Sequence, residues 1–140
     1  MRRMASVSSF LLAAGLASFV AWDLPPLRIN GSAVAASQQS DHKRLQELHL
    51  LIEKEIGTPG ANAPSQCKLI AFGSKACGGP ERYLVYSTVK TNEARLKQLV
   101  NEFNQLAQKI NEERKIRSDC MFVTEPMVEF VGGMCTIKGN

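Results

Sequence analysis

The sequence predicts a small, disulfide-stabilised, mainly α domain closed by a C-terminal β-hairpin, an α+β arrangement. Three observations carry that expectation. Cys67, Cys77, Cys120 and Cys135 all follow an N-terminus with the pattern of an export signal. A run with one apolar face extends over 91–115. Near the C-terminus, Gly132-Gly133 separates two short apolar segments. An even cysteine count in an exported chain points to disulfides rather than free thiols.

Residues 1–35 read as a signal peptide. Arg2 and Arg3 precede an apolar or small run from Phe10 to Trp22, which fits a signal core and falls short of the ~20 residues needed to span a bilayer. Ala33-Val34-Ala35 supplies small residues for cleavage before Ala36, at the end of an unusually long cleavage region. The remaining 105 residues suffice for one domain. The whole chain carries +4, but removal of the leader leaves 14 basic and 12 acidic residues, an ordinary surface balance. No basic stripe interleaved with aromatics appears, so nucleic acid is not an expected partner. No later segment is apolar enough for stable membrane insertion. The expected location is periplasmic or extracellular, and the expected partner is a protein.

Within the expected domain, residues 36–66 supply an N-terminal helix and a Pro/Gly linker. Ala36–Ser40 reads as a disordered lead-in. A helix is expected over 41–56, where Leu45, Leu48, Ile52 and Ile56 form a stripe widened by Leu51. Ser40 or Asp41 is its expected cap, and Gly57-Thr58-Pro59-Gly60 ends it. Residues 67–140 form the disulfide-containing core. Cys67–Phe72 is short and apolar, and its pattern leaves strand and buried helix both open. Gly73–Pro80 must bend. For 81–87, Pro80 and Glu81 give a helix start, whereas Tyr83, Val85 and Tyr86 favour a strand; the start signal tips the expectation to helix.

The long helix over 91–115 is expected to be the spine of the domain. Leu96, Leu99, Val100, Phe103, Leu106, Ala107 and Ile110 share one face, and Thr91 is the expected cap. A hairpin is expected over 127–137, where paired glycines suit a tight primed turn.

Four cysteines permit three pairings. The local bridges Cys67–Cys77 and Cys120–Cys135 are favoured, with both crossed patterns open. Spacings of 10, 43 and 15 do not match the close cysteine pairs of zinc sites, and no Cys-x-x-Cys redox motif is present. No metal or other cofactor is expected. His42 and His49 are the only histidines, and both read as surface residues of the first helix. Glu53/Glu55 and Glu112/Glu113 read as helix-surface charges. Gly78-Gly79 lacks the rest of a phosphate-binding loop. No catalytic residue is assigned, and enzymatic activity is not the expectation.

The segment from Cys67 through Ala76-Cys77-Gly78-Gly79-Pro80, continuing to Tyr83-Leu84-Val85-Tyr86-Ser87, resembles small exported bacterial proteins of uncharacterised function with a Cys-x9-Cys-Gly-Gly-Pro segment. Asn104 and Ser118-Asp119-Cys120 join the resemblance, which implies an exported bacterial domain and transfers no active site.

The leading functional expectation is an exported binding protein, its sharpest form being an inhibitor of an extracellular hydrolase. A glycine-rich loop restrained by disulfides loses less entropy on binding than a free one. Phe72, Lys75, Arg82 and Tyr83 around that loop are the candidate interface, since aromatics and arginine anchor interfaces. The alternative is an envelope structural or assembly accessory protein, using one face of the long helix. A small hydrolase ranks third.

Overall fold

The computed structural model describes residues 31–138, folded as three stacked layers: a helical pair, a β-hairpin, and a second β-hairpin. The expected leader falls mostly on residues 1–30, outside the described residues. Gly31–Ala35 form the first residues of helix α1, Gly31–Ile56. The expected disordered lead-in at 36–40 is therefore helical, and the helix start lies ten residues earlier than Asp41. Ser40 and Asp41 do not cap it. The Ser40 hydroxyl donates back to the Ser37 carbonyl at 2.6 Å, and Asp41 meets Lys109 at 2.9 Å. Leu48 and Ile52 are fully buried, while Leu50 and Leu51 face outward, so Leu51 does not widen the apolar stripe.

Helix α2 spans Glu93–Arg114. Its cap is Asn92, whose side chain accepts from the Arg95 amide at 3.1 Å; Thr91, expected there, is buried one position earlier. Leu96, Leu99, Val100, Ala107 and Ile110 are buried, and Phe103 and Leu106 pack on the core at its margin. Asp41, Arg44 and Glu55 of α1 pair with Lys109, Glu102 and Arg95 of α2 in reverse order, so the helices run antiparallel. These exposed pairs orient the helices more than they stabilise them. The stability lies in the core of Leu48, Ile52, Phe72, Tyr86, Leu96, Leu99 and Val100.

Strands β1, Cys67–Phe72, and β2, Arg82–Ser87, form an antiparallel hairpin with Cys67 opposite Ser87 and Phe72 opposite Arg82. The helix expected at 81–87 is thus a strand. Pro80 and Glu81 lie at the hairpin tip, where Gly78 and Gly79 take positive φ and the Lys75 amide donates to the Gly79 carbonyl. Phe72, Leu84 and Tyr86 turn towards the helices, and Val85 and Tyr83 lie on the opposite face, as a period of two requires. Strands β3, Val128–Val131, and β4, Met134–Ile137, form the expected C-terminal hairpin through Gly132-Gly133, both at positive φ. This second hairpin packs on the first. The other edge of β4 is closed by the connector after α1: the Cys135 amide donates to the Pro59 carbonyl and the Ala61 amide to the Gly133 carbonyl, both at 2.9 Å.

Both bridges are crossed, Cys67–Cys135 and Cys77–Cys120, and the favoured local pairing is overturned. The reason is the strand at 67–72. At ~3.3 Å per residue it carries the chain ~17 Å away from Cys67 before the tip begins, and a disulfide needs Cα atoms within ~7 Å. Cys67 instead meets Cys135 of the overlying hairpin, and Cys77 at the tip meets Cys120 beyond α2.

Candidate protein-binding surface

Helix α2 ends at Lys115, which adopts the left-handed conformation at φ 50 and turns the chain away from the helix axis. Residues 116–127 then run without regular structure as a strap beside the β1–β2 tip. The Cys77–Cys120 disulfide ties strap to tip. Lys75, whose side chain is only 17% exposed, donates from Nζ to the Met121 carbonyl at 2.7 Å and lies 3.5 Å from Asp119 Oδ1. The Asp119 carboxylate accepts from the Met121 amide and the Ser118 hydroxyl. Its pKa is held below the usual carboxylate value, first by the Met121 amide and next by the Lys75 ammonium. At the base of the tip, Asn111 Nδ2 donates to the Ser74 carbonyl at 2.6 Å.

This tethered strap exposes apolar side chains. Phe122 is fully exposed, Met121 and Met127 are about two-thirds exposed, and Ile116 is also exposed. Between the Phe122 region and the tip lies a cleft of ≈ 320 Å³ lined by Gly79, Pro80, Met121, Phe122 and Val123. Water-exposed aromatics are singly unremarkable, but Met121 and Phe122 line one cleft on a covalently held segment, which makes this the candidate surface.

The four residues expected at the interface do not form one surface. Phe72 lies in the core at 2% exposure, stacked on Phe103 with ring centroids 4.3 Å apart. Arg82 covers that ring from outside, its guanidinium carbon 4.9 Å from the centroid, and its Nη2 lies 3.3 Å from His49 Nε2. Tyr83 is half-buried and lines a groove with Arg82, His49 and Glu53 on the flank of β2. Lys75 alone touches the strap, from the hairpin tip, as the clamp described above rather than as a free contact. Phe122 and Met121 carried no signal in the sequence beyond a short apolar run after Cys120, because exposure depends on what packs nearby.

All four cysteines are bonded, so none is a free thiol nucleophile. His49 Nε2 lies 3.2 Å from Glu53 Oε1, but no hydroxyl meets either residue among the described residues. No cluster with the makings of a metal site occurs among the described residues, and no described helix is long and apolar enough to cross a membrane. No family model, curated protein or solved structure matches the chain.

Proposed function

We infer that the chain is an exported protein-binding module, with inhibition of an extracellular hydrolase as its sharpest form. The observation that carries this reading is Phe122, fully exposed on a strap that Cys77–Cys120 and Lys75 hold against the hairpin tip. Burying such a ring in a partner's pocket contributes about 1.5–3 kcal/mol, and a pre-fixed strap gives up little conformational freedom in doing so. Two disulfides support export, since such bonds persist in oxidising compartments. The likeness to exported bacterial proteins points the same way. The assembly reading gains nothing from α2, whose outward face carries Lys97, Glu102, Gln105 and Lys109 and no exposed large apolar residue.

The test is a panel of secreted proteases and glycosidases assayed with the oxidised protein and with Phe122→Ala. An inhibited enzyme is expected, with Phe122→Ala weakening inhibition about 30-fold, the measure of an anchor residue. Equal inhibition by both proteins would remove the strap from the contact. Inhibition of none would leave the hydrolase reading without support and turn the search to non-enzymatic partners, by photo-crosslinking from position 122.

A further inference from the structure

The β1–β2 sheet has two strands and therefore two edges, and the fold treats them differently. On the β1 side, Asn104 of α2 reaches across: its Oδ1 accepts from the Gly73 amide at 2.8 Å and its Nδ2 donates to the Ala71 carbonyl at 3.4 Å. On the β2 side nothing equivalent occurs. The Thr88 amide donates to the Gln66 carbonyl, which sets the parity of the ladder. Leu84 and Tyr86 therefore bond inward to β1, and the amides and carbonyls of Tyr83 and Val85 point outward. Neither residue's main chain has a hydrogen-bond partner among the described residues.

This open edge faces a groove of ≈ 470 Å³ between α1 and β4, walled by His49 and Ile56 on one side and Ile137 on the other. Arg82 stands at one end. Its guanidinium stacks on Phe72 and touches His49, and no carboxylate lies within 4.0 Å of it among the described residues. Glu53 also lines the groove, with its Oε1 3.2 Å from the same His49 Nε2 that Arg82 touches, so this carboxylate is near Arg82 without pairing with it. Exposed edges are usually blunted; this one combines free donors and acceptors, a largely apolar wall and a cation with no directly paired carboxylate among the described residues.

We propose that the β2 edge binds an extended peptide segment of a partner protein as an added antiparallel strand, with an acidic side chain seated on Arg82. The peptide exchanges main-chain bonds with Tyr83 and Val85, and alternate side chains carry specificity. Antiparallel alignment sets an apolar residue opposite Leu84, against Ile56, and an acidic residue two positions later opposite Arg82. The recognised pattern is apolar-x-acidic. A second copy of this chain fits less well: pairing about Leu84 places Arg82 opposite Tyr86 and offers the guanidinium no carboxylate. The site is separate from the Phe122 strap and stands whether or not the strap binds a hydrolase.

The probe is a short fluorescein-labelled peptide alternating threonine with apolar residues, in which aspartate follows leucine by two positions. Its binding to the oxidised full domain is read by anisotropy, and the domain's amides by hydrogen exchange. Saturable binding is expected, with the Tyr83 and Val85 amides exchanging fast in the free protein and slowing on peptide addition. N-methylation of the peptide amides facing those residues lowers affinity about tenfold or more, the loss of one or two hydrogen bonds. Arg82→Gln removes the preference for aspartate over asparagine, and Arg82→Lys restores part of it. Phe122→Ala, which alters only the strap, leaves peptide binding at β2 unchanged. Equal binding of the N-methylated peptide, or loss of binding in Phe122→Ala, would overturn strand addition at β2. So would Tyr83 and Val85 amides already slow in dilute protein, or slowed by protein concentration alone, the mark of a second copy.

Discussion

At the scale of single residues, the most heavily perturbed group is Tyr86. Its hydroxyl donates to Glu93 Oε1 at 2.7 Å, and Lys68 Nζ reaches the same oxygen at 3.2 Å. Burial first, and the Glu93 carboxylate second, push its pKa up from 10.0 to about 12. A raised folded-state pKa means that the stabilising contribution is complete below pH 10 and is lost as pH rises towards about 12. Glu93 moves the other way, lowered chiefly by the Tyr86 hydroxyl and then by Lys68, so its contribution is present above the ordinary value of 4.5 and fades as pH falls. Tyr86→Phe is expected to remove the alkaline fall in the urea midpoint and to weaken the acid one. An unchanged alkaline limb would show that Tyr86 is not the titrating group. None of this was legible beforehand: Tyr86 and Glu93 are neighbours only because the turn after β2 brings the start of α2 back over the strand.

At the scale of elements, Asn104 shows how one polar side chain caps the tip end of a strand edge. Asn104→Ala would leave the Gly73 amide, in a buried residue, without its acceptor, a loss of about 1–3 kcal/mol. The denaturant midpoint should fall accordingly, and Gly73 exchange should quicken while Leu84 exchange changes only with global stability. No effect would mean that water replaces the carboxamide. Gly73 itself must remain glycine, since its φ is +82 and a Cβ would meet Glu81 at 2.7 Å. The amphipathic face of α2 and the hairpin around Gly132-Gly133 were legible, because their periodicity and turn chemistry are local. Residues 82–87 were not. The second hairpin half-covers the outer face of β2, so Tyr83 and Val85 are as apolar as the inward residues and the alternation of a strand is lost. Pro80 then imitated a helix start while serving a hairpin tip.

At the scale of the whole molecule, the crossed disulfides join parts that no local element connects. Cys67–Cys135 pins the second hairpin to the first, and Cys77–Cys120 pins the strap to the tip. Their sequence separations of 68 and 43 correspond to about 4 kcal/mol each of unfolded-state restraint. The strap has few other ties, so freeing it loosens the native state too and offsets part of that loss. Cys67→Ser/Cys135→Ser is therefore expected to lower unfolding free energy more than Cys77→Ser/Cys120→Ser. Equal losses would show that the strap stays ordered without its bond. Peptide mapping without reduction should recover Cys67 joined to Cys135 and Cys77 joined to Cys120; a Cys67–Cys77 peptide would contradict the fold.

The sequence by itself determined the class of the fold, the apolar face of α2, the stripe of α1 apart from Leu51, the C-terminal turn and the oxidised state of the cysteines, because each follows from spacing within a few residues or from a count. Only the tertiary structure decided which cysteines pair, that Phe72 is core and Phe122 is surface, and that one edge of β2 stays open. Those outcomes depend on distances between segments far apart in the chain, set by how the three layers stack.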